Sequence, residues 1–175
     1  AQTVEDTLNR LTAEGKHPYY IFGDKYGTGN EATPVQAYVD GYREIRQWEE
    51  EKGVRFSHIF FASGTGSTQC GLVSGKILEH GREKIVGISI SSREYERAMK
   101  VMETGIQEYF EKRHLELPVD FQRELHLEMG YRQAGYGQYD DRIMQVIREE
   151  FCQNGLPLDP TYTGKAFWGM KEYIE

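Results

Sequence analysis

The sequence has 175 residues, with 21 Lys or Arg and 28 Asp or Glu, so its formal net charge is −7. A surface that binds duplex nucleic acid needs clustered Lys and Arg to displace counterions, and this acidic balance argues against that class of protein. The 12 Tyr and 8 Phe residues supply enough apolar area for the core of one domain. The composition therefore predicts a single domain over residues 1–175 and no nucleic-acid partner.

Two further classes are disfavoured by the pattern of residues. No apolar run approaches the roughly 20 residues needed to cross a bilayer, and the first residues lack the basic-then-apolar pattern of a signal peptide. The five His residues are dispersed and the two Cys residues lie far apart, without the spacing of metal ligands. We therefore expect a cytoplasmic protein with no membrane partner and no metal site.

Strand and helix signals alternate from the N-terminus. Residues 3–14 carry apolar side chains at helical spacing, and residues 18–22 form a short apolar run of strand type. The segment Thr33-Pro-Val-Gln36 has the pattern of a capping box with proline at the first helical position. It predicts a helix that ends near Gly53.

A strand–helix–strand unit is predicted over residues 56–90. The apolar run at 56–62 is too continuous for a strand with one wet face, which favours a buried parallel strand. A glycine-rich turn at 63–68, a helix over 69–80 and a strand over 84–90 follow it. This order is typical of a parallel sheet.

The remaining residues continue the alternation. Ser91-Ser-Arg-Glu94 predicts a capping box for a further helix, and alternating apolar residues at 125–129 predict an edge strand. Asp140-Asp141 can cap a helix that ends at Asn154-Gly155, and a long irregular loop at 156–165 precedes a short last helix. Together these signals predict an α/β fold, with an open, three-layer, mainly parallel sheet and helices on both faces.

The segment Ala62-Ser-Gly-Thr-Gly-Ser-Thr68 lies where a predicted strand passes into a helix. At such a position, backbone N–H groups and the positive end of the helix dipole converge and stabilise an anion. Gly64 and Gly66 allow close approach of the main chain, and Ser67 and Thr68 offer hydroxyl donors. The loop predicts a phosphate site, and a tight turn without a ligand is the alternative.

The loop departs from the common nucleotide motifs. No Gly-Lys-Ser/Thr follows it, and Gln69 stands where the dinucleotide motif has its third glycine. Ser91-Ser92 stand where that motif has an acidic ribose ligand, which argues against a dinucleotide-binding oxidoreductase. Ser63 has no recognisable His and acid partner, which argues against a serine hydrolase.

Three other loops are candidates for the same cleft. Gly23-Asp-Lys-Tyr-Gly-Thr-Gly-Asn30 is a second glycine-rich loop, and a solvated connection is its alternative. Gly135-Tyr-Gly137 and Asp159-Pro-Thr-Tyr-Thr-Gly164 each carry a tyrosine in an irregular loop. Such a tyrosine forms an ordinary surface turn or lies against a flat ligand, where its hydroxyl can move a proton.

Three of these segments together resemble the 1-aminocyclopropane-1-carboxylate deaminase and D-cysteine desulfhydrase family. They are Ser63-Gly-Thr-Gly-Ser-Thr-Gln69 with Gly71 close behind, Gly135-Tyr-Gly-Gln138, and Leu158-Asp-Pro-Thr-Tyr-Thr-Gly-Lys-Ala166, in that order. The resemblance covers essentially the whole chain. It implies that the chain forms part of the larger domain of a pyridoxal-phosphate enzyme with the tryptophan synthase β-like fold. It also implies a lyase or deaminase that acts on a small amino acid and forms a homodimer at full length.

The resemblance further implies the site residues. Tyr162 and Tyr136 would line the pocket, with Tyr162 in proton transfer or substrate binding. Aminocyclopropane carboxylate deaminases typically carry Glu after this tyrosine, whereas Thr163 follows it here, which favours the D-cysteine desulfhydrase-like branch. The phosphate of pyridoxal 5′-phosphate would be held by Ser63, Gly64, Thr65, Gly66, Ser67 and Thr68.

Two parts of the family's active site are not found in these 175 residues. One is the S/G-G-N-K-x-R-K segment that carries the Schiff-base lysine, and the other is an H-T-G-G loop. Lys165 corresponds to a different, structural position in the family. We therefore expect a fragment of the larger, cofactor-phosphate-binding domain, inactive alone. A non-catalytic α/β module that binds a phosphorylated ligand is the alternative.

Overall fold

The computed structural model describes residues 2–21 and 32–175. None of the helices in these ranges combines the length and apolarity of a membrane-spanning segment. The elements, in chain order, are α1 (Gln2–Ala13), α2 (Ala32–Lys52), β1 (His58–Ser63), α3 (Ser67–Leu78), β2 (Lys84–Ser89), α4 (Tyr95–Lys112), a 3-10 helix (Phe121–Glu124), β3 (His126–Glu128), α5 (Asp141–Asn154) and α6 (Thr163–Ile174).

The three strands form one sheet in the order β1-β2-β3, and both pairs are parallel. His58 pairs with Lys84 at one end of β1 and Ser63 with Ser89 at the other. Since the strands run in one direction, their carboxyl ends meet at one edge of the sheet, where ligands bind in open α/β folds. The loops after β1, β2 and β3 begin at this edge.

Helices cover both faces of the sheet. Ile85 of β2 belongs to a large apolar core that also contains buried residues of α2, α3 and α4. The next residue, Val86, points to the opposite face and packs with Ile88 against Ala166 of α6, as the alternation of a strand requires. The predicted open α/β architecture, with a parallel sheet and helices on both faces, is confirmed.

Glycines bring α3 unusually close to α2. A Cβ at Gly71 would lie 2.3 Å from Tyr38 Cβ and 2.5 Å from the carbonyl oxygen of Val35. A Cβ at Gly75 would lie 2.7 Å from Tyr42 Cβ. Because no other residue lacks a Cβ, these two positions set the separation of the helices.

Gln69 connects the outer strands across the middle one. Its Nε2 donates to the carbonyl oxygen of His126 at 2.7 Å, and its Oε1 accepts from Ser63 Oγ at 3.2 Å. The side chain is fully buried and lies against Gly87, where a Cβ would stand 2.3 Å from Oε1. The residue that departs from the dinucleotide motif therefore has a structural role here.

The N-terminal part differs from the sequence prediction. The strand expected at residues 18–22 is wrong over 18–21, which form no strand, and residue 22 lies outside the described residues. The glycine-rich loop at 23–30 also lies outside them. Helix α2 begins at Ala32, two residues before Pro34, the expected first helical residue.

The expected capping box at Ser91 is wrong. Ser91 Oγ accepts from the N–H of Arg93 at 3.3 Å, a local turn, and α4 begins only at Tyr95. Glu94 is the N-cap residue of α4, in an extended conformation and without a side-chain cap hydrogen bond. A short hydroxyl side chain often bonds its own neighbourhood in this way instead of a helix end.

Helix α5 follows its local signals. Asp140 Oδ1 accepts from the N–H of Ile143 at 3.1 Å, and Gly155 ends the helix with a φ of 65°. Strand β1 is parallel as expected, but His58 to Ala62 are half-buried rather than buried, because β1 forms an edge of the described sheet.

Candidate functional site

The loop between β1 and α3 is closed by a glycine that no other residue could easily replace. Gly66 precedes α3 with a φ of 102°, a backbone conformation that favours glycine. It is also buried, and a Cβ there would lie 3.0 Å from Met102 Cγ of α4. Glycine therefore allows both the turn into α3 and the close contact of this turn with α4.

This loop presents unpaired N–H groups. Within the described part of the chain, no acceptor is found for the N–H groups of Thr65, Gly66, Ser67 and Thr68. The first N–H groups of a helix have no partner inside the helix and carry the positive end of its dipole. Four such groups in succession form a cradle for an anion such as a phosphate.

The hydroxyl groups of the loop differ in their surroundings. Thr65 is exposed, and its Oγ1 lies 3.5 Å from Ser67 Oγ. Ser63 is buried and its hydroxyl donates to Gln69, so this side chain stabilises the sheet. Among the described residues, no group of three or more His, Cys, Asp or Glu is arranged to hold a metal ion.

Tyr136 and Tyr162, which lie on different loops, meet. Their hydroxyl oxygens are 2.5 Å apart, and their rings pack edge to face with centroids 5.6 Å apart. The hydrogen bond from Tyr136 is the main cause that raises the pKa of Tyr162, followed by burial and by the charge of Asp159. Tyr136 is 61% and Tyr162 43% exposed, so a ligand can reach both hydroxyls.

Asp159 holds the backbone that carries Tyr162. Its carboxylate accepts from the N–H groups of Thr161, Tyr162 and Thr163 at 2.7–2.9 Å, and from the Thr163 hydroxyl at 2.7 Å. Burial raises the pKa of Asp159, but these hydrogen bonds outweigh burial and lower it overall. Asp159 thus holds the residues that precede and open α6, which begins at Thr163, inside the segment expected to stay irregular to residue 165.

Lys165 joins α6 to the loop that carries Tyr136. Its side chain is fully buried, and Nζ donates to the carbonyl oxygens of Arg132 at 3.0 Å and Gly135 at 2.7 Å. Burial lowers the pKa of this amine. Because Lys165 follows Tyr162 by three residues and holds the residue before Tyr136, it places the two tyrosines side by side.

Sequence reasoning did not identify how three residues shape this site, although the resemblance implied a structural position for Lys165. Asp159 binds backbone N–H groups of its own loop. Lys165 binds carbonyl oxygens of another loop, and so does Arg93, whose Nη1 donates to the carbonyl oxygens of Gly64 and Thr65. The only signal in the sequence was the D-P-x-Y-x-G-K stretch, which contains two of the three.

Removal of the Asp159 carboxylate should weaken the start of α6. We expect Asp159→Ala to lower the free energy of unfolding by about 1–2 kcal/mol, as for the loss of a helix cap. Because the native pKa is lowered, the contribution is present above the unfolded-state pKa of about 3.9 and is lost as pH falls through the native pKa. Urea unfolding at several pH values measures both effects. Asp159→Asn should lack this pH dependence, and equal pH profiles of wild type and Asp159→Asn would contradict the assignment.

Comparisons with known proteins agree in sequence and in fold. No protein-family model matches the chain. A Pyrococcus abyssi protein named "Putative 1-aminocyclopropane-1-carboxylate deaminase" is 29% identical over 173 residues, which are 98% of this chain and 49% of the relative. A solved structure titled "Crystal Structure Analysis of the ACC deaminase homologue" has a TM-score of 0.77 and 29% identity. The match covers 98% of this chain and 49% of that one.

The similarity therefore extends over almost the whole chain, and the chain spans about half the length of the relatives it matches. The three segments singled out above lie within this match, which leaves only about 2% of the chain uncovered. As the resemblance implies, this chain is similar in sequence and in fold to 1-aminocyclopropane-1-carboxylate deaminase-like proteins.

Proposed function

We propose that this chain forms the phosphate-binding part of a pyridoxal-phosphate-dependent enzyme that deaminates or cleaves a small amino acid. The observation that carries the proposal is the site at the carboxyl edge of the sheet, where an anion cradle and a tyrosine pair occur on one α/β framework. The similarity to the two relatives named above supports it. A homodimer and a cytoplasmic location, implied by the resemblance, stay predictions.

The residues present fit the phosphate end of this cofactor. The N–H groups of Thr65 to Thr68 would hold the phosphate, with the hydroxyls of Ser67 and Thr68 beside them. Gly66 adopts the positive φ that lets the chain turn into α3 at this loop while it packs against Met102 of α4. When bound, the cofactor supplies an electron sink for the bond broken at the substrate's α-carbon.

The tyrosine pair supplies a hydrogen-bond donor in this proposal. Like any ordinary phenol, Tyr162 is protonated at neutral pH, and its raised pKa makes it a better hydrogen-bond donor to a substrate than a free proton source. Tyr136 orients that hydroxyl. Position 163, typically Glu in aminocyclopropane carboxylate deaminases, is Thr163 here, and its hydroxyl donates to Asp159. The absence of a carboxylate at this position supports the D-cysteine desulfhydrase-like branch.

Lys165 is not suited to bond covalently to the cofactor. Its Nζ is buried and donates to two carbonyl oxygens. The segment that carries the Schiff-base lysine in the family is not found in the 175 residues. We therefore propose that these 175 residues bind the cofactor phosphate but do not turn over D-cysteine or aminocyclopropane carboxylate.

The test compares pyridoxal 5′-phosphate with pyridoxal as ligands of the 175-residue chain. We expect calorimetry to show at least about tenfold tighter binding of the phosphorylated form, about 1.4 kcal/mol. Gly66→Ala should remove the difference, because its Cβ strains the backbone and meets Met102. The matched control is Gly137→Ala. Gly137 also has a positive φ, 71°, but the new Cβ would have no atom within 4 Å. Equal affinities of the two ligands for wild type would refute the proposed cradle, and turnover would refute inactivity.

Replacement of Tyr136 should change the titration of Tyr162. Tyr136→Phe removes the hydroxyl that raises the pKa of Tyr162, so this pKa should fall toward the ordinary value of about 10. Carbon-13 NMR of ring-labelled tyrosines follows the titration, and Tyr162→Phe assigns the resonance. Tyr139→Phe, an exposed tyrosine of the same loop region, is the control and should leave it unchanged. The same Tyr162 pKa in Tyr136→Phe and wild type would contradict the pairing.

A further inference from the structure

A guanidinium group lies on the carbonyl side of the anion cradle. Arg93 Nη1 donates to the carbonyl oxygen of Thr65 at 3.1 Å and to that of Gly64 at 3.4 Å. Arg93 belongs to the loop after β2, so these bonds join the loops that follow two neighbouring strands. Its side chain is half-buried between them.

These two bonds decide which way the N–H groups of the cradle point. In a trans peptide, the C=O of one residue and the N–H of the next point in opposite directions, and the described chain has no cis peptide bond. When Arg93 holds the carbonyl groups of Gly64 and Thr65, the N–H groups of Thr65 and Gly66 must point to the other side. Arg93 therefore fixes the side on which the cradle is open.

Arg93 is itself held by the loop that carries Tyr136. Arg132 Nη1 donates to the carbonyl oxygen of Arg93 at 3.0 Å, and the carbonyl oxygen of Arg132 accepts from Lys165 Nζ. A continuous set of hydrogen bonds thus runs from the cradle through Arg93, Arg132 and Lys165 to Gly135, the residue before Tyr136. The loops also touch, since a Cβ at Gly135 would lie 3.2 Å from Ser92 Cβ.

We propose that Arg93 is a positioning residue that keeps the cradle open toward a phosphate monoester and links its geometry to the tyrosine pair. The inference rests on the proposed function, which it deepens. It implies that a phosphate in the cradle changes the titration of Tyr162, and that this effect requires the Arg93 side chain. By linkage, the two sites then influence each other equally.

The first test concerns the protein without ligand. In Arg93→Gln, we expect nitrogen-15 order parameters of residues 65–68 to fall from a rigid value near ~0.85 to below ~0.6. The matched control is Arg97→Gln, which removes the same charge from the same surface concavity. Among the described residues, Arg97 makes no hydrogen bond to the cradle. Unchanged order parameters in Arg93→Gln would overturn the inference.

The second test separates positioning from a general loss of stability. We expect Arg93→Gln to weaken binding of pyridoxal 5′-phosphate and of inorganic phosphate at least about tenfold, with pyridoxal binding unchanged. Saturating inorganic phosphate should shift the Tyr162 titration in wild type and in Arg97→Gln but not in Arg93→Gln. Equal weakening of all three ligands, with a lower free energy of unfolding, would mean a merely structural role and overturn the inference.

Failure of the proposed function gives a different result. If wild type binds neither pyridoxal 5′-phosphate nor inorganic phosphate, the proposed function fails. The role of Arg93 is then judged from the order parameters of the ligand-free protein. If they fall in Arg93→Gln and not in Arg97→Gln, the positioning role is supported, and otherwise it is overturned.

Discussion

A methyl group added at Gly71 is expected to lower the free energy of unfolding by about 3 kcal/mol. In Gly71→Ala, the new Cβ would lie 2.3 Å from Tyr38 Cβ, 2.5 Å from the carbonyl oxygen of Val35 and 3.0 Å from the carbonyl carbon of Tyr38. Two of these three atoms belong to the backbone, so a change of side-chain rotamer cannot relieve the contact. Helices α2 and α3 would have to move apart.

Urea unfolding of Gly71→Ala and of a matched glycine variant measures this effect. Gly41 lies in α2, and a Cβ there would have no atom within 4 Å. Gly41→Ala should therefore be neutral or raise the free energy of unfolding by up to about 1 kcal/mol, because alanine favours the helix. If Gly71→Ala were as stable as Gly41→Ala, the helices would not be in the close contact described above.

The second large effect is expected for Lys165→Met. Methionine can fill the buried space of the lysine stem, but the carbonyl oxygens of Arg132 and Gly135 lose their shared donor. Loss of hydrogen bonds to a charged group, with two buried acceptors left unpaired, should lower the free energy of unfolding by about 3 kcal/mol. The loop before Tyr136 also loses its attachment to α6, so the pKa of Tyr162 should fall as in Tyr136→Phe.

Lys171→Met provides the control on the same helix. Lys171 is 39% exposed and its Nζ lies 3.4 Å from Oε1 of Glu150, a buried carboxylate that keeps a hydrogen bond from Asn154 Nδ2 without Lys171. Its loss should cost less than about 1 kcal/mol and leave the Tyr162 titration unchanged. Equal effects of the two substitutions in urea unfolding would mean that the buried hydrogen bonds of Lys165 contribute little.

Elements with signals at their own ends could be predicted from the sequence. Asp140 and Gly155 bracket α5 because a cap and a left-handed glycine act on backbone groups a few residues away. The parallel pairing of β1 with β2 also followed from the sequence, because a strand–helix–strand unit joins parallel strands. These features depend on neighbours along the chain, which a sequence displays directly.

Elements that depend on distant partners could not be predicted in this way. Residues 18–21 have the composition of a strand, yet Tyr19 and Ile21 are largely exposed and join no strand of the described sheet. Strand preference reflects packing on a sheet, and no local pattern supplies that packing. Ser91 could equally bond its own turn or a helix end, and only the structure distinguishes them.

The candidate site was predictable in part. The anion loop followed from its glycines, its hydroxyl residues and its place after a strand, whereas the tyrosines were paired only by family resemblance. Arg93 and Lys165 donate to backbone carbonyl groups of other loops. Because every residue has a backbone carbonyl, the identity of the accepting residue does not reveal such a contact in the sequence. The residues that shape this site are therefore harder to recognise than those that face its ligand.

The burial of Gln69 against Gly87 constrains how related sequences can differ. Any side chain at position 87 would enter the space of the Gln69 amide, while a shorter residue at position 69 would leave that space empty and the His126 carbonyl without its donor. Neither exchange is compensated by the rest of the sheet. We therefore expect these two positions to covary among homologues, so that a glycine at 69 accompanies a larger residue at 87.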